Sequence, residues 1–302
     1  MNSNKIRDFR CFSRDDTSIS NLMSEKAIPY PDAYKKYLPM SELSIEYRKT
    51  EDDIYCVLPF SHTIEAEAMG ADINYGVGDG FGLRARTDIC SEMKDILELC
   101  DIDFEKEPAG EVLSAIRYLK SKGEKVILEV SGPFIIMDFL IDTKKVYKSV
   151  RKQDEVGHAV FDKLKRNILN YVKEAIKAGA DVISYADSSA GVSILGPRLV
   201  EKSYSMFTRD FLLELQKIAA EEKVLIHLCP KTVQIVLAME GRGFTEIELE
   251  SEETVTYEEA MLEIESRIKT EKLPVFMGQM CINMKKTKMF SGKIKMLELL
   301  EE

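Results

Sequence analysis

The chain has 302 residues, 45% apolar and 31% charged, with a net charge of −10 and a pI of about 5.1. That length suits one large α/β barrel or two smaller domains, with enough apolar content for a sizeable core. The acidic balance argues against nucleic-acid binding, which needs a basic field. No run approaches the roughly 18 apolar residues of a membrane span, and Met1–Asp8 lacks the apolar core of a signal peptide. Cysteines stand at 11, 56, 90, 100, 229 and 281, a scatter that gives no disulfide framework and fits a reducing, cytoplasmic setting.

In chain order, residues 1–50 are polar, with Pro29, Pro31 and Pro39 spread through them. They read as an irregular N-terminal extension packed across a larger fold that occupies 51–302. Short β-branched runs then alternate with helical patterns. The expected strands are Ile54–Leu58, a weaker Asp72–Val77, Lys125–Val130, Asp181–Tyr185, Lys223–Leu228, Phe244–Leu249 and Pro274–Met277. Gly76-Val-Gly-Asp-Gly-Phe-Gly82 has the wrong spacing for a dinucleotide fingerprint and reads as a flexible loop. Gly110–Lys122 predicts a helix ended by Gly123. Val156, Val160, Leu164, Ile168 and Val172 make the apolar stripe of a longer one, capped by Asp154 and stopped by Gly179. Pro197 opens the next helix at its first position. Glu258–Lys269 and the tail Ile294–Leu300 complete the set. Strand and helix alternating without hairpins predict a parallel sheet, over this length a (β/α)8 TIM barrel, with a doubly wound open sheet as the alternative. Seven strands are counted, one short of closure.

The chemistry concentrates in Val224-Leu-Ile-His-Leu-Cys229. In a strand, residues i and i+2 project to the same side, so His227 and Cys229 point together, with Leu228 opposed. Cys281 follows a second apolar run, Val275–Met280. A His-x-Cys…Cys set supplies three zinc ligands and leaves a fourth position open, which suits catalysis better than a closed structural site. A core histidine beside a buried cysteine is the plain alternative.

Several stretches together resemble the zinc-dependent corrinoid methyltransferases of the uroporphyrinogen decarboxylase superfamily, of the methylcobamide:coenzyme M type. They are Ile226-His-Leu-Cys-Pro230, Gly278-Gln-Met-Cys-Ile-Asn283, Thr63-Ile-Glu-Ala-Glu-Ala-Met-Gly-Ala71, Val130-Ser-Gly-Pro-Phe134 and Ala178–Ala190. The resemblance runs in order over roughly 55–302. It departs from the family at Pro230, where glycine is usual, and in the separation of 52 from position 229 to position 281, which is short for the group. The arginine-rich motif of true uroporphyrinogen decarboxylases is absent from residues 1–60, which argues against tetrapyrrole decarboxylation.

The resemblance implies zinc (Zn2+) on His227, Cys229 and Cys281. It implies a methylcobamide donor carried on a separate corrinoid protein, and a small thiol acceptor such as coenzyme M. Asp187 falls at the strand end where barrel active sites sit; it faces the corrinoid or supports the metal site, or else makes an ordinary cap or Asx turn. Ser188 and Ser189 divide the same way, as cofactor contacts or turn residues. Glu67 reaches the metal in the resting enzyme, or, with Glu65, belongs to a glutamate-rich first helical turn. His62 and His158 read as surface or packing residues, and Cys56, Cys90 and Cys100 as small buried apolar ones. The lysines at 285, 286, 288, 293 and 295 make a basic tail, either a solvated face or a docking patch for an acidic partner. Arg84, Arg86, Arg198 and Lys231 are the cations nearest the motifs for a sulfonate.

Overall fold

The computed structural model describes Ile6, Phe9 and residues 16–76, 83–241, 243–250 and 254–300. In chain order the strands are β1 (Tyr55–Leu58), β2 (Ile73–Asn74), β3 (Arg84–Ala85), β4 (Lys125–Ser131), β5 (Val182–Ala186), β6 (Leu225–Leu228), β7 (Thr245–Glu248), β8 (Val255–Thr256), β9 (Phe276–Met277), β10 (Lys288–Met289) and β11 (Lys293–Leu297). The main sheet runs β1-β4-β5-β6-β9-β11-β7. Its first five strands are parallel, and β11 lies antiparallel between β9 and β7. Two ribbons, β2–β3 and β8–β10, stand apart.

The central strands are apolar on both faces because both faces are covered. Leu58, Val126, Leu128, Val130, Ile183, Tyr185, Ile226 and Leu228 pack against the helices Ala109–Ser121, Glu155–Ala178 and Arg209–Glu222. The alternate positions, Tyr55, Val57, Ile127, Val182, Leu225 and Met277, form a second core. There they meet one helix, Tyr257–Arg267, through Tyr257, Ala260, Met261 and Ile264. Ion pairs tie this helix to the sheet: Glu265 takes Lys125 at 2.7 Å and accepts the Tyr55 hydroxyl at 3.3 Å.

The α/β class and the parallel core stand as expected. Among the described residues β1 and β7 are the two ends of the sheet order, with no pairing between them. The expected strand at 244–249 forms as β7, but at the far edge, and the helix Tyr257–Arg267 lies over the face that a closed barrel would turn inward.

Residues 16–50 pack across the fold, but as helices (Asp16–Glu25, Asp32–Lys35 and Tyr37–Thr50) and not as irregular chain. Pro29 and Pro31 sit in the break before Asp32, where a missing N–H costs nothing, and Ile19, Leu22, Met23 and Leu43 form a small core of their own. The tail predicted as a helix over Ile294–Leu300 is instead β11: Ile294 and Met296 are buried between exposed Lys293 and Lys295, a period of two. Asp154 caps its helix, accepting the Gly157 N–H at 2.8 Å, and that helix ends at Gly179. Pro197 starts the second half of Val192–Ser203, after a break at Gly196. The weak strand at 72–77 shrinks to β2, and residues 77–82 of the glycine-rich stretch lie outside the described residues, as does Cys11. Cys56 and Cys90 are buried as expected, whereas Cys100 is exposed, next to the charged turn that opens at Asp101.

Three of the five tail lysines are paired with acids. Lys285 is buried against Asp53 at 2.7 Å, Lys286 pairs with buried Glu258 at 2.6 Å, and Lys293 faces Glu246 and Glu248 at 3.7 and 3.8 Å. No described helix is long and apolar enough to cross a membrane.

Candidate functional site at the carboxyl ends of the central strands

His227 belongs to a row set by strand register. Glu129 on β4 aligns with Ser184 on β5, Ser184 with His227 on β6, and His227 with Met277 on β9. Side chains in register on parallel strands share a face, so this row points toward the helix Tyr257–Arg267. The imidazole is 1% exposed. Its Nε2 lies 2.9 Å from the Met280 carbonyl and its Nδ1 3.0 Å from Ser184 Oγ. A carbonyl only accepts, so Nε2 carries the proton and Nδ1 accepts from the serine hydroxyl. Burial lowers the ring to about 4, partly offset by the Met280 carbonyl and Glu129, so His227 is neutral at pH 7. The Tyr257 ring stands edge-on to it, 6.2 Å between centroids.

Cys229 stands just beyond His227, its N–H bonded to the Tyr185 carbonyl at 2.9 Å. It heads the helix Pro230–Glu240, with Pro230 at the first position. That explains the departure from glycine: proline's fixed φ starts the helix directly after the cysteine. Gly278 lets the turn after β9 close onto this strand end; a Cβ there would lie 2.5 Å from the Leu228 carbonyl oxygen and 2.6 Å from Val233 Cγ2. The turn delivers the Met280 carbonyl to His227 and places Cys281 just after it. Both cysteines are partly exposed.

The donors suit zinc in kind. Their placement does not suit it, because a zinc-bound histidine gives one ring nitrogen to the metal and His227 has both engaged. Among the described residues no three His, Cys, Asp or Glu side chains are close enough together to hold a metal ion.

Asp187, beyond β5, is buried against the Gly132-Pro-Phe turn. Its carboxyl accepts the N–H of Ile135 at 3.1 Å and of Phe134 at 3.4 Å. Burial, against those two N–H groups, pushes it up to about 8. Ser189 donates to Asp138 at 2.5 Å, and Ser188 opens the short 3-10 turn between them. Asp187, Ser188 and Ser189 thus share the loop beside Cys229. Glu67 is held elsewhere: one carboxylate oxygen accepts Thr63 Oγ1 and the Tyr75 hydroxyl, each at 2.5 Å, and no described contact joins it to His227 or Cys281. Its neighbour Glu65 is the more enclosed. It is 2% exposed, accepts the Ser131 N–H at 2.7 Å, and is pushed by burial up to about 7. His62 and His158 are exposed. Lys231, one of the candidate cations, packs over Gly191 at the end of this loop.

Sequence reading passed over Glu129, Ser184 and Tyr257. The signal for the first two is a polar residue inside an apolar strand, Lys125-Val-Ile-Leu-Glu-Val-Ser131 and Val182-Ile-Ser-Tyr-Ala186. On a doubly covered strand, that residue must face another polar group. Tyr257 carries no such local mark.

Comparison with known proteins agrees with this architecture. The chain is 25% identical over 239 residues to the methylcobamide:CoM methyltransferase MtaA of Methanosarcina barkeri, covering 78% of this chain and 68% of that protein. It is 25% identical over 158 residues to the uroporphyrinogen decarboxylase of Vibrio cholerae, covering 48% of this chain and 41% of that protein. A methyltransferase from Methanosarcina mazei shares the fold, with a TM-score of 0.59 and 22% identity over 79% of this chain and 71% of that one. The uroporphyrinogen decarboxylase (URO-D) family model matches residues 19–272, most of the chain, and the protein belongs to that family.

Proposed function

We propose that this chain is a methyltransferase that moves a methyl group from a methylated corrinoid, presented by a separate corrinoid protein, to the sulfur of a small thiol such as coenzyme M. A cytoplasmic setting belongs to the same reading. The observation that carries it is the meeting of His227, Cys229 and the Cys281 turn at neighbouring strand ends, in a chain similar over most of its length to an enzyme named for that reaction. Zinc on His227, Cys229 and Cys281 is part of the proposal and requires His227 to give up one of its two hydrogen bonds. When bound, zinc would hold a substrate thiol in its deprotonated form.

The protein's own groups prepare the place. Cys229 and Cys281 are the partly exposed members of the set. His227, buried and neutral, fixes the turn that carries Cys281. Burial raises Glu65 to about 7 and Asp187 to about 8, which reduces the negative charge these two carboxyls carry near neutral pH. Lys231, packed over Gly191, is the proposed partner of an acidic group on the thiol.

The test joins metal analysis to a methylcobalamin-plus-thiol panel followed at the cobalamin absorbance. The expected result is about one zinc per chain and thiol-dependent demethylation, with metal and turnover both lost in Cys229→Ala and Cys281→Ala. A metal-free Cys229→Ala protein that still methylates thiol at the parent rate refutes the reading. Turnover only from a methyl donor onto cob(I)alamin would show the reverse, demethylating direction. Activity on a tetrapyrrole that survives chelation would point to decarboxylation.

A further inference from the structure

Tyr257 is fully buried, and its hydroxyl has no hydrogen-bond partner among the described residues. Burying a hydroxyl without a partner costs roughly 1–3 kcal/mol, so such a group is expected to have a use. Its position supplies one. The ring lies edge-on to His227. Cys281 lies close enough to act on the hydroxyl electrostatically, and the backbone N–H groups of Met280 and Gln279 approach its oxygen, so it is the hydroxyl's own proton that lacks an acceptor. The same Gln279–Met280 segment forms one wall of an open groove of about 760 Å³, rimmed by Lys288, Phe290 and Lys293. The donor therefore lies beside both His227 and Cys281, behind the Gln279–Met280 segment that walls the groove.

We propose that the Tyr257 hydroxyl donates a hydrogen bond to the sulfur of the bound thiol, making Tyr257 a ligand-binding residue of this site. The inference rests on the thiol-binding reading above. A sulfur entering beside Cys281 is an acceptor for a donor that otherwise has none. A hydrogen bond to a charged acceptor is worth roughly tenfold or more in affinity. The helix Tyr257–Arg267 then has two roles: it fills the face of the sheet and brings one polar group to the reacting end.

The experiment is Tyr257→Phe in the full chain, which keeps the ring against His227 and removes only the oxygen. Binding of coenzyme M and of 2-mercaptoethanol is measured by calorimetry, alongside metal content and thermal melting. The expected result is a thiol Kd raised about tenfold, metal content equal to the parent, and a Tm unchanged or higher, since an unpartnered buried hydroxyl has gone. As a second measurement, bound thiol should slow iodoacetamide labelling of Cys281 in the parent more than in the variant. Equal Kd values in parent and variant overturn the role of Tyr257 while leaving thiol binding in place. Failure of the parent to bind either thiol overturns both.

Discussion

Gly132→Ala tests the packing that holds Asp187. The backbone at Gly132 (φ −81°, ψ 170°) accepts any residue, so only contact matters. A Cβ there would lie 2.3 Å from Asp187 Cβ, 2.4 Å from Cγ and 2.7 Å from Oδ2. Carbon atoms sit comfortably at about 3.5 Å or more, so Asp187 must retreat by roughly 1 Å. That breaks or stretches its bonds to Ile135 N–H at 3.1 Å and Phe134 N–H at 3.4 Å. Overpacking costs about 1–3 kcal/mol, and a buried partner left unsatisfied costs about 1–3 kcal/mol more. A central figure near 4 kcal/mol corresponds to a fall in Tm of about 8 °C, taking roughly 2 °C per kcal/mol for a chain of this size. The assay is thermal and urea unfolding followed by circular dichroism. Adding Asp187→Gly to Gly132→Ala exchanges the small and large positions. The pair should be less destabilised than the sum of the single changes by at least about 1 kcal/mol. A Gly132→Ala protein melting within about 1 °C of the parent, or strict additivity in the pair, would refute the argument.

Three further outcomes follow from the same geometry. Glu65 and Asp187 are raised to about 7 and about 8, while His227 is lowered to about 4. The folded acids keep protons that the unfolded chain releases, so their contribution falls as pH rises from about 4 to 7 or 8; His227 loses stability as pH falls from about 6.5 to 4. The acids prevail, and the stability of Asp187→Asn relative to the parent should rise by about 1.4 kcal/mol per pH unit between pH 5 and 7.5 in urea melts; parallel curves would show that Asp187 is ionised in the fold. Ser184→Ala leaves the buried Nδ1 of His227 unpartnered and should cost about 1–3 kcal/mol, with a changed imidazole NMR signal; an unaltered signal would remove Ser184 from the row. Lys285→Met strands Asp53, a buried carboxylate 2.7 Å from the ammonium, and should cost about 3–5 kcal/mol, whereas Asp53→Asn combined with it should restore much of that loss.

How much the sequence disclosed depended on whether the signal was local. The apolar run Val224–Leu228 and the caps of Glu155–Ala178 are properties of neighbouring residues, and the strand (over Leu225–Leu228) and the helix both formed. The tail misled because Lys-Ile-Lys-Met-Leu-Glu-Leu-Leu satisfies a helical stripe as well as a strand alternation. Only its place between β9 and β7 decides for the strand. Prolines at 29 and 31 suggested irregular chain, although each lies in the break between helices. The site was half visible. His227 and Cys229 share a strand end, but the grip of Ser184 and Met280 on the imidazole depends on partners 43 and 53 residues away. The lysine-rich tail looked solvated because the acids that neutralise it, Asp53 and Glu258, lie far from it in sequence.

The short interval between Cys229 and Cys281 has a structural meaning. A closed (β/α)8 barrel fills its interior with side chains from its own strands. Here the stretch lays the helix Tyr257–Arg267 over that face and sends β7 to the far edge of the sheet. The helix is anchored at both ends to the start of the sheet. Glu258 accepts the Ile54 N–H at 3.1 Å and holds Lys286, while Glu265 holds Lys125 and the Tyr55 hydroxyl. The floor beneath His227 is therefore a separate element, fixed through β1 and the Lys285–Lys286 turn. His227 itself ties β5, β6 and the Cys281 turn together. A metal taking either ring nitrogen must loosen one of those ties: at Nδ1 the bond to β5, at Nε2 the bond to the turn. Nε2 is the easier exchange, because its partner carbonyl belongs to a partly exposed turn adjacent to Cys281, whereas Ser184 is buried in the middle of the sheet. Binding of the proposed metal would in this way be coupled to the position of that turn through a single imidazole.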